Sequence, residues 1–365
     1  MRDMGSAIPR LMFARPLADG RQPCVTVVVL CYNYGHFLPQ CLGSLLTQTG
    51  VDVKIMVIDD ASPDGSGEVA EELAAADKRI TVIRHVRNMG NIATANEGFG
   101  HVASEYVVLL SADDLLPPGA LARATALLDA NPSAGFAYGH PVNFSGAAVP
   151  PARQVSRTWS IWPGPKWLRA QCRRGLGCIY SPEVVMRTDV QRRVGDANLA
   201  LPHTADLEMW LRFAAVADVG RVNGADQGYR RVHANSMMQT RFSGVLADLS
   251  ERRKAYEAFF AASGAAVAGA DRSLAIVRRR LAEEALQYAC QLAAEGDSES
   301  PMIADCVSFA CDCGPDTKKL AAWREYELLS GREGRETARM RRRAYALRRD
   351  LDGRLRHKQW QWAGV

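Results

Sequence analysis

The stretch Val25-Thr-Val-Val-Val-Leu30 decides how this chain folds. It is an unbroken run of mainly β-branched residues, preceded by Pro23 and followed by turn-forming residues at 33–35. A strand has this composition when both of its faces are buried, as happens inside a parallel sheet. We therefore predict that residues 25–30 form a central strand of an α/β sheet.

The segments after this strand alternate between helical and extended patterns. We predict helices over 38–47, 66–76 and 92–102, strands over 51–58, 80–85 and 106–110, and a loop over 86–91. Strands that alternate with helices form an open, mostly parallel sheet, and such sheets bind ligands beyond the carboxyl ends of their strands. Functional residues are therefore expected at 30–34, at 59–64, near Arg87 and at 111–114.

The sequence changes character near residue 240. From there, alanine-rich segments predict helices over 245–262, 271–295, 301–311 and 317–330. We predict four regions: a flexible N-terminal segment (1–22), an α/β domain (23–240), an all-helical domain (241–330) and a basic tail or helix (331–365). A length of 365 residues agrees with about two domains. The helical domain could also support a homo-oligomer.

The net charge of +5 is concentrated in the tail. Residues 331–365 hold eleven basic and four acidic residues, or +7, which leaves −2 for the rest of the chain. The tail permits three interpretations: a solvated helix, an anchor for an anionic membrane or lipid phosphate, and a nucleic-acid patch. Its arginines together with Trp360 and Trp362 are typical of an interfacial helix. No nucleic-acid-binding signature accompanies them, so we do not expect nucleic acid as a partner.

Composition argues against a membrane-spanning or secreted protein. No apolar run reaches the roughly 18 residues of a transmembrane helix, and residues 1–22 lack the hydrophobic core of a signal peptide. We predict a cytoplasmic protein, with peripheral membrane contact as an option through the tail. The nine cysteines are interpreted as thiols, since the spacing of Cys306, Cys311 and Cys313 does not match a zinc knuckle.

Two pairs of carboxylates fall at predicted strand ends. Asp59 and Asp60 close one strand, and Asp113 and Asp114 close another. Aspartates are also common in turns and at helix N-termini, which explains either pair taken alone. Both pairs at one sheet edge instead favour a site for a hard divalent cation that also holds a diphosphate.

The order of the motifs from about residue 24 to 237 resembles that of the inverting family 2 glycosyltransferases, which have the GT-A fold. The resemblance lies in these stretches: Val25-Thr-Val-Val-Val-Leu-Cys-Tyr-Asn33, Val57-Ile-Asp-Asp-Ala-Ser-Pro-Asp64, Arg87-Asn-Met-Gly-Asn91, Leu109-Leu-Ser-Ala-Asp-Asp114, His203-Thr-Ala-Asp-Leu-Glu-Met-Trp-Leu-Arg212 and Tyr229-Arg-Arg-Val-His233. It implies that 23–240 is a GT-A domain that binds a nucleotide sugar.

The resemblance also implies a donor site. Tyr32 would stack on the nucleotide base, and Asp60, with Asp59 beside it, would form hydrogen bonds to the base or ribose. Asn33, Arg87 and Asn91 would complete the nucleotide-sugar contacts, and uridine or thymidine diphosphate is the expected carrier.

A metal site follows from the same resemblance. Asp113 would bind Mn²⁺ or Mg²⁺ and the donor diphosphate, with Asp114 as a second ligand and His233 as a third. The first acidic position of the family's Asp-x-Asp motif is Ser111 here, which shortens the ligand set. Arg230 and Arg231 could meet phosphate oxygens or lie on the surface.

The resemblance places the general base at Asp206. This carboxylate would take the proton from the acceptor hydroxyl as its oxygen attacks the anomeric carbon, so that the configuration inverts. Ala205 stands where many relatives have an acidic residue. Asp206 could also serve only as a helix N-cap, and Glu208 is the competing carboxylate, expected to face away.

Three tryptophans in the segment over 155–180 permit two interpretations. Trp159, Trp162 and Trp167 could stack on an acceptor or could simply pack a long loop onto the core.

The first hypothesis for function is a single-addition, metal-dependent transferase acting on a saccharide, lipid-linked glycan, aglycone or protein. The alternative is a non-catalytic nucleotide-sugar-binding scaffold, which Ser111 and Ala205 would favour. A pyrophosphorylase is not expected, because the glycine-rich loop that it needs is missing near the first strand.

Overall fold

The computed structural model describes residues 8–177, 179–234, 244–295 and 300–330. The chain divides into two compact units. Of the described residues, 8–168 and 179–234 belong to the first unit, and 169–177 and those from 244 onward belong to the second. The predicted basic tail at 331–365 lies outside the described residues.

The first unit is built on one nine-stranded sheet. The strands are β1 (Arg10–Phe13), β2 (Cys24–Cys31), β3 (Asp52–Asp59), β4 (Ile80–Arg84), β5 (Tyr106–Ser111), β6 (Ala134–Phe144), β7 (Thr158–Trp162), β8 (Val185–Arg187) and β9 (Asp218–Arg231). They are ordered β1-β7-β9-β6-β8-β5-β2-β3-β4. The pairs β2–β3, β3–β4, β2–β5 and β6–β9 are parallel, and the pairs formed by β1, β7 and β8 are antiparallel. The predicted mostly parallel α/β sheet is confirmed.

Among the described residues, seven α-helices lie between these strands in the sequence. They are α1 (Leu38–Leu46), α2 (Ser66–Ala76), α3 (Asn91–His101), α4 (Ala120–Ala130), α5 (Gly164–Arg174), α6 (Thr188–Val194) and α7 (Ala205–Val216). The residues of β2 from Val25 onward are buried, as the unbroken apolar run predicts. Gly98 lets α3 lie close to the sheet, because an added Cβ would come within 2.4 Å of a methyl group of Val28. This close packing holds α3 against β2.

The N-terminal segment differs from the prediction. Residues 1–22 were expected to be flexible, but Arg10–Phe13 form the edge strand β1, antiparallel to β7. Arg21 is also held, by ion pairs of 2.6 Å to Glu105 and 2.9 Å to Asp129. The reason is that β7 would otherwise be an edge with unpaired backbone groups, and β1 satisfies them. Sequence patterning does not reveal a four-residue edge strand that is separated from the rest of the domain.

The second unit is helical. Its helices are α8 (Val245–Ser263), α9 (Ala270–Glu295), α10 (Pro301–Asp312) and α11 (Ala321–Ser330), preceded by residues 169–177 from the end of α5. The helix predicted over 317–330 is divided into a 3₁₀ turn at Thr317–Lys319 and α11. Placing all of 23–240 in one domain was wrong for 169–177. Arg252 explains why 169–177 group with the helical unit. Its buried guanidinium donates a hydrogen bond to the Gly175 carbonyl at 2.6 Å and forms an ion pair with Glu284 at 2.8 Å.

The sequence predicts neither a membrane-spanning helix nor a disulfide. Within the ranges described above, no helix is both long and apolar enough to cross a membrane. Eight of the nine cysteines are described, and all eight are free thiols, seven of them buried or half-buried. Cys290, Cys306 and Cys313 are packed in the helical core, where burial raises the pKa of each thiol.

Candidate active site

The carboxyl ends of three neighbouring parallel strands meet at one edge of the sheet. Cys31 lies opposite Asp59 across β2 and β3, and Leu30 lies opposite Ser111 across β2 and β5. Two backbone bonds extend this alignment past the strands, from the N–H of Asp60 to the Cys31 carbonyl and from the N–H of Ala112 to the Leu30 carbonyl, both at 2.9 Å. The segments that carry the predicted donor and metal residues are therefore gathered at this edge.

The segment after β2 presents an aromatic face beside buried oxygen atoms. Tyr32 is 46% exposed, which is unusual for a large aromatic side chain and leaves its ring open for stacking. Asn33 has a left-handed backbone (φ 60°), and its N–H donates to Ser62 Oγ at 3.0 Å. Asn33 Oδ1 and Asp59 Oδ1 are both buried without a hydrogen-bond partner among the described residues. Buried acceptors of this kind are normally satisfied, so both oxygens favour a donor group on a ligand.

Asp60 is used differently from its neighbour. Its Oδ1 accepts from the Met89 N–H at 2.7 Å and lies 2.7 Å from His85 Nδ1, and its Oδ2 accepts from the Gly90 N–H at 2.8 Å. The carboxylate thus fastens the loop over 86–91, on which Arg87 is exposed. Of the two aspartates that the sequence assigned to the base or ribose, Asp59 is the one with an oxygen left for a ligand. Asn91 is exposed at the first position of α3.

The loop after β5 carries the predicted metal ligands. Asp113 Oδ2 lies 3.0 Å from His233 Nε2, and Asp113 Oδ1 is buried without a partner among the described residues. Asp114 Oδ1 accepts from the backbone N–H of Arg231 at 2.9 Å. Burial, together with the negative charge of Asp113, raises the pKa of Asp114 well above its ordinary value. The structure thus brings Asp113 and His233 together and directs Asp114 towards β9.

The guanidinium of Arg231 holds this loop from behind. It donates to the Asp113 carbonyl at 2.9 Å and to Gln40 Oε1 at 2.6 Å. It also lies between the rings of Phe37 and Phe144, at 4.5 and 4.4 Å from their centroids. Arg231 is only 4% exposed, so the sequence-based options of a phosphate contact or a surface arginine do not apply to it. Its part in shaping the loop was missed, because no local pattern distinguishes a buried arginine from an exposed one.

The side chains at this loop supply part of the ligand set that a divalent cation needs. Among the described residues, no group of three or more His, Cys, Asp or Glu side chains is arranged as a complete metal cage. The pair Asp113 and His233 supplies an unsatisfied carboxylate oxygen and an imidazole nitrogen. Mg²⁺ and similar ions are commonly held by one or two carboxylates plus substrate phosphates and water, so an incomplete protein set is compatible with such an ion.

Asp206 occupies the second position of α7. Its Oδ1 accepts from the N–H of Leu207 at 2.7 Å. Burial raises the pKa of Asp206 from 3.8 to about 6, against the opposing effects of the Leu207 N–H and of His203. The N-cap position belongs to Thr204, so the N-cap alternative for Asp206 is wrong. A half-buried carboxylate whose pKa lies just below neutrality is ionised at pH 7 and still basic enough to take a proton.

The competing carboxylate is committed to a structural contact. Glu208 is 3% exposed, and its two oxygens accept from Arg212 Nε at 2.9 and 3.0 Å. Arg212 in turn donates to the Val194 carbonyl at 2.5 Å and the Asp196 carbonyl at 2.8 Å. This ion pair therefore fixes the segment before α7 and leaves Glu208 unavailable for proton transfer.

The three tryptophans do not face a ligand. Trp159, Trp162 and Trp167 are each 1% exposed and belong to the core of the first unit. Trp167 packs edge-on against Phe136 at 5.9 Å. Of the two sequence-based options, packing is correct and acceptor stacking is wrong for all three. Tyr180, later in the same segment, has the guanidinium of Arg230 4.5 Å from its ring centroid.

Comparison with known proteins agrees with this geometry. The family described as Glycosyl transferase family 2 matches residues 26–188. The chain is 36% identical over 109 residues to the uncharacterized glycosyltransferase EpsJ of Bacillus subtilis, which is 30% of this chain and 31% of that protein. It is 26% identical over 218 residues to an uncharacterized glycosyltransferase of Haemophilus influenzae, covering 58% of this chain and 67% of that one. The chain thus spans less than a third of the first relative and about two thirds of the second.

A solved structure shows the same fold. The structure of S. aureus TarS 1–349 in complex with UDP-GlcNAc superposes with a TM-score of 0.58 at 16% identity, over 84% of this chain and 90% of that one. The chain therefore has a GT-A-like fold, with a mostly parallel sheet flanked by helices and a helical C-terminal region. Residues 26–188, a little under half of the chain, are thus similar to the family 2 glycosyltransferases.

Proposed function

We propose that this protein transfers one sugar from a nucleoside diphosphate sugar to an acceptor hydroxyl, with inversion at the anomeric carbon. The observation that carries the proposal is the unsatisfied Oδ1 of Asp113, buried at the strand ends beside His233. At the same edge, Asn33 Oδ1 and Asp59 Oδ1 also have no partner among the residues that the structure describes. Three buried acceptors without donors are costly unless a ligand meets them.

The nucleotide would bind on the side of β2 and β3. Tyr32 offers an exposed ring for the base, and Asp59 Oδ1 can accept a hydrogen bond from a ring N–H such as that of uracil or thymine. We retain Asn33, Arg87 and Asn91 as donor-site residues and assign Asp60 to the support of the loop over 86–91. UDP is the first nucleotide to test, because TarS was solved with UDP-GlcNAc.

Asp113 and His233 would hold a divalent cation, Mn²⁺ or Mg²⁺. Asp114 would support the loop beside them, since its Oδ1 accepts from the Arg231 N–H. When bound, such a cation offsets the charge of a diphosphate and favours its departure as a leaving group. The protein's own residues prepare this position, since Arg231 fixes the loop through the Asp113 carbonyl and the backbone bond to Asp114.

Asp206 would act as the general base. Its raised pKa of about 6 and its place in the first turn of α7 suit a carboxylate that accepts a proton from an acceptor hydroxyl. Ala205 leaves this carboxylate without an acidic neighbour on the N-terminal side. The acceptor could be a saccharide, a lipid-linked glycan, an aglycone or a protein hydroxyl.

The test is a donor screen. Purified protein is incubated with UDP-, dTDP- and GDP-sugars in the presence of Mn²⁺ or Mg²⁺, and release of the nucleoside diphosphate by transfer or slow hydrolysis is measured. We expect turnover with at least one donor, and Asp206→Asn should reduce it by about 10² to 10⁴ without loss of nucleotide binding. Nucleotide binding with no turnover of any donor would support the second candidate, a non-catalytic scaffold, which Ser111 and Ala205 favour. Absence of binding and of turnover would refute both candidates.

A further inference from the structure

Two residues not assigned so far, His85 and Glu97, form a cluster of titratable groups with Asp60. His85 follows β4 and is held between two carboxylates. Its Nδ1 lies 2.7 Å from Asp60 Oδ1 at the end of β3, and its Nε2 lies 2.9 Å from Glu97 Oε2 on α3. The backbone N–H of His85 also donates to the Asp59 carbonyl at 2.9 Å. The imidazole is therefore fixed at both ring nitrogens and at its own backbone.

This arrangement determines the protonation state of the ring. An ionised carboxylate can only accept hydrogen bonds, and a neutral imidazole carries one N–H and one lone pair. Two carboxylate partners are satisfied together only when both ring nitrogens carry a proton. His85 is then an imidazolium ion that forms two charge-assisted hydrogen bonds, which are shorter and stronger than neutral ones.

The surrounding charges agree with this state. Burial alone would lower the pKa of His85, but Asp60 and Glu97 outweigh it, and the net effect is a pKa above 6.5. Of the other charged side chains nearby, Arg84 is directed away from the ring and His101 lies next to Glu97. Arg84 pairs with Glu68 and Glu71 of α2, and His101 of α3 lies 3.9 Å from the other oxygen of Glu97.

His85 matters to the donor site through Asp60. The same carboxylate that contacts His85 accepts the N–H bonds of Met89 and Gly90, and the Asp60 carbonyl accepts from Asn88 Nδ2 at 3.2 Å. The cluster thus joins the end of β3, the loop over 86–91 and Glu97 in the second half of α3. If the ring loses its second proton, one carboxylate faces a lone pair and is repelled, and the loop loses part of its support.

We propose that His85 is a positioning residue whose imidazolium holds the loop over 86–91 in the conformation that binds the donor nucleotide. This inference rests on the proposed function for its link to nucleotide binding. The position of the loop is a property of the free protein and can be measured without a nucleotide. Donor affinity should accordingly fall when His85 loses its positive charge, in proportion to the fraction of protein with a correctly held loop.

The first experiment measures the free protein. The ring of His85 is titrated by NMR, and hydrogen exchange of the peptide covering residues 85–91 is followed from about pH 6 to about pH 9 in wild type, His85→Gln and His101→Gln. We expect the His85 pKa above 6.5, protection of the loop in wild type and His101→Gln, and loss of this protection as pH rises through that pKa. Equal exchange in wild type and His85→Gln at every pH, or a pKa below 6.5, would overturn the proposal.

The second experiment measures UDP affinity by calorimetry over the same pH range. His85→Gln should weaken UDP binding about tenfold at the acidic end, and the difference from wild type should shrink as pH rises. His101→Gln, which removes an exposed histidine next to the same glutamate, should follow wild type. Parallel pH profiles for wild type and His85→Gln would overturn the role in donor binding. If no nucleotide binds to wild type at any pH, the proposed function fails, and hydrogen exchange alone decides whether His85 holds the loop.

Discussion

Replacement of Asp206 by asparagine should reduce activity and increase stability at once. The pKa of this carboxyl rises on folding from 3.8 to about 6, because burial disfavours the charged form. A rise of about two pH units corresponds to about 3 kcal/mol of folding free energy, which the protein loses once the group is ionised. Asparagine carries no charge and can still accept the Leu207 N–H bond through its amide oxygen. The variant should therefore recover up to about 3 kcal/mol at neutral pH.

The sign of the pH dependence follows from the same shift. A carboxyl whose folded-state pKa is raised makes its stabilising contribution below pH 3.8, and that contribution is lost as pH rises towards 6. The stability advantage of Asp206→Asn should be absent at about pH 4, grow up to about pH 6 and remain constant above it. Activity behaves oppositely: kcat/KM of wild type should fall below about pH 6, where the base becomes protonated.

The assay combines chemical denaturation with initial rates of nucleotide release. In Asp206→Asn, kcat/KM should drop by about 10² to 10⁴, the usual contribution of a general base, while nucleotide affinity is unchanged. Glu208→Gln is the matched control, because it breaks a buried pair with Arg212 and should lower stability without moving the pH profile. A stability loss in Asp206→Asn together with full activity would refute the assignment and leave Asp206 a structural residue of α7.

Three other perturbations test separate parts of the structure. Tyr32→Ala should weaken UDP binding by about 1–3 kcal/mol, the value of one base-stacking contact, whereas Tyr32→Phe should bind as wild type; equal affinities for all three would exclude stacking. Gly98→Ala should destabilise the protein by about 1–3 kcal/mol in denaturation, because its Cβ would collide with β2. Gly100→Ala has open space on the same helix and should increase the stability by about 0.5–1 kcal/mol. Arg231→Met should lower the free energy of unfolding by at least about 2 kcal/mol, because it removes charged hydrogen bonds inside the protein. Arg230→Met should lower it by less than about 1 kcal/mol. Similar losses in the two variants would show that the burial of Arg231 is unimportant.

The sequence pattern predicted the central strands and helices well, because their hydrophobic periodicity and the residues at their ends are distinctive. The helix predicted over 66–76 is α2 (Ser66–Ala76), with the glycine before it in a left-handed conformation. β2 was predicted from its unbroken apolar run and is buried accordingly. The strands beyond Ser111 carry no such pattern. β9 (Asp218–Arg231) contains three glycines and several charged residues, and its pairing with β6 depends on contacts distant in sequence.

The site could be predicted in position more than in detail. The motifs placed Asp59, Asp113 and His233 at one edge, since parallel strands bring their carboxyl ends together. They could not show that Asp60 is occupied by the loop over 86–91, because that depends on hydrogen bonds with residues almost thirty positions away. For His85, the only available indication was a polar residue directly after β4, and a polar residue at a strand end is too common to single out.

The central claim is that Asp113 and His233 form part of a metal-assisted donor site. The most direct measurement compares the affinity of wild type for UDP in Mn²⁺ and in EDTA, with Asp113→Asn titrated in parallel. We predict that Mn²⁺ tightens UDP binding to wild type by at least about tenfold, or about 1.4 kcal/mol, and that Asp113→Asn loses this gain but keeps the metal-free affinity. Equal affinity of wild type for UDP in Mn²⁺ and EDTA would contradict the account.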